Sequence, residues 1–293
     1  MVTRERRFVG PRAKLRRAQR KIQALKESFD SFVGANLYRV YSEFDREAGY
    51  HVLKAYPVAE AKEPPIIGWS LLVGEIAYNL RSALDQAVCE LATERGADCE
   101  STSFPIFPYG PRAKTRRSRR ARLNFRWNGD DIKPLSYRHR WIIESVQPYH
   151  RVVGDQVAPT GNRRPFYSLW LLHEMSNADK HRELVKVDAT PMGTALNVLN
   201  DDIEYEIDPG AAVYDGAEVG WLTTTRPPEQ IHVDGYLAIQ ICFGDALPTL
   251  DQWSVMQVLE WIARTVENVL YDLARGEPWR TRGAHLRLPV RYI

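Results

Sequence analysis

The stretch FYSLWLLHEMSNADKHRELVKVDAT, from Phe166 to Thr190, contains the change of pattern that decides the fold. At about 100° per residue, its first part places apolar residues on most of a helix surface and polar residues along one stripe. After His181 the pattern becomes that of β-strands, and four more β-rich runs follow, punctuated by Gly, Pro and Asp. Helical segments followed by consecutive strands predict an α+β fold rather than alternating βαβ units.

Four other segments have the periodicity of helices, and two have that of a β-hairpin. The predicted helices run from about Pro11 to Val33, Ile66 to Arg95, Leu135 to Val146 and Asp251 to Arg275. The hairpin strands are LYRVYSEFD and GYHVLKAYP. We expect one domain, residues 1–293, with four to five core helices and a mainly antiparallel sheet. Its helical part covers about 11–34, 66–182 and 251–275, and its β-rich part about 37–57 and 183–245.

Composition excludes several classes of protein. The chain has 293 residues, 44% hydrophobic and 26% charged, so it can form a core. It has no run of about 18 apolar residues, so no membrane partner is expected. Its basic N-terminus has no apolar signal region, which predicts a cytoplasmic protein. The spacing of Cys89, Cys99 and Cys242 predicts neither a disulfide framework nor a zinc site. The apolar stripes of the long helices fit a homodimer or a single core equally well.

The net charge of +3 conceals two strongly basic segments. The first, Arg4 to Lys26, has ten basic residues and one acid; the second, Pro111 to Trp127, has no acid. In the second segment, which we expect to be a loop, arginines are interleaved with two aromatic residues: Arg116, Arg117, Arg119, Arg120, Arg122 and Arg126 with Phe125 and Trp127. Arginines bind phosphates and aromatic rings stack on unpaired bases, so the segment predicts nucleic-acid binding. The alternative is a solubilising loop.

The polar stripe of the first-quoted helix contains the candidate chemistry. His173, Glu174, Asn177, Lys180 and His181 share one side of it. His173 and His181 are two turns apart, roughly 12 Å, so they cannot chelate one metal, and HEMSN lacks the second histidine of a zinc protease. No phosphate-binding glycine loop occurs, and we expect no cofactor. The stripe is either an acid–base group with an orienting partner or a buried structural network.

Arg81 and Asp85 lie four residues apart on the helix predicted from Ile66, so their side chains can pair. One interpretation is an ion pair that is solvated or partly buried. The other places Arg81 at a cleft, where its donors would hold a phosphate or a carboxylate.

Three segments, NLRSALDQAVCEL, IIESVQPYH and LWLLHEMSNADKHRELV, resemble a group of actinobacterial and phage proteins without an established activity. The helical part also resembles the HEPN superfamily, which includes metal-independent ribonucleases with an Arg-x4–6-His motif. That resemblance implies that Arg81 is the arginine and that a histidine follows at positions 86–88. This chain has Gln86, Ala87 and Val88 there. Either the activity is absent or another histidine, His181 or His173, replaces the missing one.

These observations lead to three functional hypotheses. In the first, the protein cleaves RNA, with His181 as general acid/base, Asn177 or Glu174 orienting it, and Arg81 binding the phosphate. In the second, the arginine segments bind nucleic acid and the stripe is structural. In the third, a small carboxylate or phosphate compound binds in a cleft around Arg81 and His181.

Overall fold

The computed structural model describes residues 7–35, 38–58, 64–100, 102–107, 131–148, 168–180, 185–197, 203–208, 211, 213–225, 227, 231, 233–244 and 253–276. These residues form five helices and six strands, which gives the α+β class predicted from the sequence. In chain order the elements are α1 Val9–Ala35, β1 Tyr38–Asp45, β2 Tyr50–Pro57, α2 Ile66–Thr93, α3 Tyr137–Ser145, α4 Ser168–Lys180, β3 Val187–Asn197, β4 Ile203–Ile207, β5 Ala217–Thr224, β6 Asp234–Phe243 and α5 Val255–Arg275.

The chain divides into two compact units. Unit 1 consists of Met1–Ile22, Leu72–Glu183 and Val258–Leu286, and its described elements are helical. Unit 2 consists of Gln23–Leu71, Leu184–Gln257 and Arg287–Ile293, and it includes the six described strands. Helices α1, α2 and α5 each contribute residues to both units.

Unit 2 contains an antiparallel sheet with the strand order β3-β6-β1-β2-β5-β4. Strands β1 and β2 form the predicted hairpin, and Gly49 in its turn has a φ of 77°, which glycine adopts without strain. The sequence predicts two separate strands, ELVKVDAT and ALNVLN, where the structure has the one continuous strand β3. Its register shifts between Pro191 and Gly193. An edge strand tolerates a proline at such an irregularity because the missing N–H need not join the ladder.

The central strands of this sheet have one buried side and one exposed side. Val40 in β1 and Leu53 in β2 are fully buried, whereas Tyr41 in β1 and Tyr236 in β6 are 38% and 49% exposed. This alternation follows from the two-residue period of a strand. It gives unit 2 an apolar core on one side and a polar and aromatic surface on the other.

The core of unit 1 is built from the apolar stripes of its long helices, which is one of the two roles that the sequence allows. On α2 the buried members are Val73, Ile76, Leu80, Leu84, Ala87, Val88 and Leu91; on α5 they are Leu259, Ile262, Val266, Val269, Leu270 and Leu273. These side chains are buried within a single chain. They are therefore not available to form the homodimer that the stripes also allowed.

The start of α1 is fixed to α2 by polar contacts. The backbone N–H of the buried Phe8 donates to Glu90 Oε2 at 3.1 Å, and Arg7 Nε donates to Glu94 Oε1 at 2.9 Å. Burial raises the pKa of Glu90 above its ordinary value. Arg7 also donates to the carbonyl of Ala274 at 3.2 Å. The first turns of α1 are therefore held in one orientation within unit 1.

One feature of the cysteines differs from the sequence prediction. Cys89 near the C-terminal end of α2 forms a disulfide with Cys99, and Cys242 is buried and takes no part in it. The chain reverses at Gly96, whose φ is 73°, and returns Cys99 to the last turns of α2. No spacing motif marks such a pair, because the reversal alone brings the two residues together. None of the described helices is long and apolar enough to cross a membrane.

Candidate functional site

Helix α4 has a buried apolar side and a half-buried polar side. Leu171, Leu172 and Met175 are fully buried. His173, Glu174 and Asn177 are half-buried. Most of the predicted polar stripe is therefore partly accessible. His181 and the side chain of Lys180 lie outside the described residues.

Asn177 contacts His173, the other histidine of the predicted stripe. Its Nδ2 lies 3.0 Å from His173 Nε2, one helical turn away. With the amide as donor, Nε2 accepts, and the proton of the neutral ring is on Nδ1. Both His173 and His181 are four residues from Asn177, so spacing alone could not decide between them. The structure brings Asn177 together with His173.

The guanidinium of Arg81 binds within its own unit. Its Nε donates to Asp85 Oδ2 at 3.1 Å, and its Nη2 donates to the carbonyl of Phe104 at 2.6 Å. The backbone N–H of Phe104 in turn donates to Asp85 Oδ1 at 2.9 Å. The Arg81–Asp85 pair therefore holds both backbone groups of Phe104. Among the described residues, no hydrogen bond or ion pair joins Arg81 to Glu174 or Asn177.

A second side chain, Gln147, holds the same segment three residues further along. It is fully buried, and its Oε1 accepts from the N–H of Phe107 at 2.9 Å. Its Nε2 donates to the carbonyls of Pro105 and Ile143 at 2.8 and 3.0 Å. Sequence analysis quoted Gln147 within IIESVQPYH without giving it a role. The segments NLRSALDQAVCEL and IIESVQPYH thus both form hydrogen bonds with residues 104–107.

The described chain on either side of the arginine-rich segment is joined by a hydrogen bond. Ser103 N–H donates to the carbonyl of Asp131 at 3.2 Å. The contacts of Arg81, Asp85 and Gln147 fix the N-terminal side of the same stretch. Predicted nucleic-acid-binding residues Arg116, Arg117, Arg119, Arg120, Arg122, Arg126 and Trp127 lie between these flanks and outside the described residues.

The other basic segment forms a cationic surface on α1. Arg16 and Arg20 are exposed and Arg12 is half-buried, while Ala18 and Leu25 on the opposite side are buried. We call Arg12, Arg16 and Arg20 the α1 arginine stripe; each lies about 6 Å further along the helix axis. Within the described part of the chain, none of the three has a carboxylate partner.

Two lysines of α1, in contrast to the stripe, are neutralised by carboxylates. Lys21 forms an ion pair with Glu75, and hydrogen bonding to Lys21 lowers the pKa of that carboxyl. Lys26 pairs with Asp30 one turn away. The exposed Arg17 has no ion pair among the described residues either, and Lys14 lies over the ring of Tyr78, so the net positive charge of the described part of α1 is carried by its arginines and by Lys14.

Comparisons with known proteins add no family to this picture. No family model matches the chain, and no curated protein or solved structure is significantly similar to it. Among the described residues, no group of three His, Cys, Asp or Glu side chains could hold a metal ion. The chemistry of the candidate sites is consequently argued from their geometry alone.

Proposed function

We propose that this is a cytoplasmic protein that binds RNA through the α1 arginine stripe and the arginine-rich segment 111–127. The observation that carries the proposal is the stripe: three arginines at four-residue steps, none paired with a carboxylate in the described chain. Unpaired surface cations gain free energy by replacing the counterions that surround a polyphosphate. Neutralised cations such as Lys21 have much less to gain.

The contacts of the described residues on either side of segment 111–127 support the same proposal. Its described flanks are joined through Ser103 and Asp131, and both flanks belong to unit 1 together with the α1 arginine stripe. Holding the ends of a basic segment lowers the entropy that it loses when it is ordered on a ligand. This favours the segment as a binding element over a purely solubilising loop.

We further propose that the helical core is HEPN-like and that the protein does not cleave the RNA it binds. The contacts of Arg81 with Asp85 and Phe104 support this version, because a phosphate would have to compete with a carboxylate and a backbone carbonyl for the guanidinium. Those contacts also disfavour a carboxylate or phosphate metabolite at Arg81. The ribonuclease hypothesis, with His181 as acid/base and Glu174 or Asn177 beside it, stays a prediction. Comparing RNA cleavage by the wild type and by His181→Ala tests it directly.

Binding of labelled RNA by two double variants of α1 tests the proposal. Arg16→Gln/Arg20→Gln removes two unpaired cations, and Lys21→Gln/Lys26→Gln removes the same charge from paired positions. We expect the arginine variant to bind more weakly. The plot of its log affinity against log salt should be less steep by about 1.4, or 0.7 per lost contact with a single strand. The lysine variant should resemble the wild type. Equal effects of the two variants would contradict a specific role for the stripe.

A further inference from the structure

The exposed side of the unit 2 sheet contains a group of tyrosines around one arginine. Arg39 in β1 lies opposite Tyr236 in β6 and opposite Tyr56 in β2. Residues directly opposite in an antiparallel pair project from the same face, and Tyr41 is on that face because it is two residues from Arg39. We call these four residues the tyrosine cluster.

Contacts within the cluster hold its rings in place. Arg39 Cζ is 5.7 Å from the centroid of the Tyr236 ring, and its Nη1 and Nη2 donate to the hydroxyls of Tyr41 and Tyr236, each at 3.5 Å. The ring centroids of Tyr41 and Tyr56 are 5.9 Å apart. Tyr41 and Tyr236 nevertheless remain 38% and 49% exposed. The cluster thus presents fixed aromatic surface to solvent.

The cluster also contains an uncompensated positive charge. Arg39 has no carboxylate partner in the described chain, and hydrogen bonding to Tyr41 and then Tyr236 raises its pKa. Two of its five N–H groups are used, both in long hydrogen bonds. The nearby Lys54 differs, because it donates to Glu43 and lowers the pKa of that carboxyl. A ligand at Arg39 would therefore meet a cation rather than a neutral pair.

We infer that the tyrosine cluster binds unpaired RNA bases by stacking, with Arg39 contacting the phosphate or the base beside them. This inference rests on the proposed function and names its substrate class as single-stranded RNA. Every base has a π-face that can stack on a tyrosine, but the bases of a duplex are already stacked on one another. An apolar protein surface is a poor occupant because it would bury the charge of Arg39 without a partner.

The acidic side of the sheet limits where the strand binds. Trp221 in β5 is on the same face and is 41% exposed, but the exposed Glu206 in β4 lies directly opposite it. A carboxylate at that position repels phosphate groups. Glu43 is also on this face and accepts from the Tyr56 hydroxyl at 2.7 Å, but Lys54 neutralises its charge. RNA is therefore expected on β6, β1 and β2 around Arg39, and Trp221 takes no part in binding.

The test compares a labelled oligoadenylate RNA as a single strand and as a duplex with oligouridylate. Tyr41→Ala and Tyr236→Ala should each weaken binding of the single strand about 5-fold or more and leave duplex binding unchanged. Tyr41→Phe and Tyr236→Phe keep the rings and should retain most of the affinity. Tyr205→Ala is the matched control, because Tyr205 is 45% exposed but lies opposite Leu222, on the other face. It should bind like the wild type.

The outcomes separate this inference from the proposed function. If Arg16→Gln/Arg20→Gln weakens binding and the tyrosine variants do not, the proposed function stands and the stacking inference is wrong. If the tyrosine variants alone weaken binding of the single strand, the cluster is a binding surface and the arginine stripe is not. If the wild type binds neither probe, both are wrong. A tyrosine variant that changes the sedimentation of the protein but not its RNA affinity would make this face a self-association surface and overturn the inference.

Discussion

Arg81 illustrates how much a single side chain depends on partners that spacing does not reveal. The four-residue interval to Asp85 predicts their ion pair, which the structure contains. The hydrogen bond from Arg81 to the carbonyl of Phe104 could not be predicted in this way, because Phe104 belongs to a loop without periodicity. No property of the sequence places that carbonyl against α2. Arg81, which could have bound a substrate, therefore fixes the position of Phe104 instead.

Gln147 provides a test of this holding role at the residue scale. Gln147→Ala removes three hydrogen bonds from a fully buried amide and should reduce the free energy of unfolding by about 2–4 kcal/mol. Urea unfolding followed by circular dichroism measures the change. Gln23→Ala is the control, because the exposed Gln23 bonds only to Glu27 and its loss should have little effect. A variant at 147 as stable as this control would mean that residues 104–107 are held by other contacts.

The tyrosine cluster marks the limit of prediction for the candidate site. The alternation in YRVYSEFD already places Arg39 and Tyr41 on one face of β1. Tyr236 joins them only because β1 pairs with β6, a strand from the far end of the chain. Such long-range register depends on tertiary packing and has no local sequence signal.

The positions of most helices and strands could be predicted, because local residues such as proline and glycine determine where they begin and end. Helix α2 begins after Pro64 and Pro65 and the chain turns away at Gly96, which has a positive φ. The β1–β2 hairpin follows from two alternating runs and a short turn. The sequence did not predict the strand order or the continuity of β3 through Pro191, because both are determined by pairing partners.

The disulfide at the end of α2 gives a prediction at the element scale. It closes a loop with a sequence separation of 10, so reduction should lower the free energy of unfolding by about 2–3 kcal/mol. Urea unfolding with and without dithiothreitol measures this difference. The Cys89→Ser/Cys99→Ser variant should be insensitive to the reductant. A wild-type protein equally insensitive would show that the bond adds nothing to the stability of this end of α2.

At the scale of the whole molecule, charge is distributed unevenly along a chain whose net charge is only +3. The α1 arginine stripe and the segment 111–127 both fall within the ranges of unit 1, whereas the acidic run Asn200 to Asp208 falls within unit 2. Composition alone reveals the two basic segments. Whether their charges are free or paired depends on neighbours such as Glu75, which only the structure identifies.

The most direct measurement is the affinity of the wild-type protein for single-stranded RNA as the salt concentration is raised. Contacts from the three arginines of the stripe alone predict that log affinity falls against log salt with a slope of about −2, and contacts from segment 111–127 would make it steeper. A slope near zero, or no binding at low salt, would contradict the proposal that unpaired arginines bind a polyphosphate.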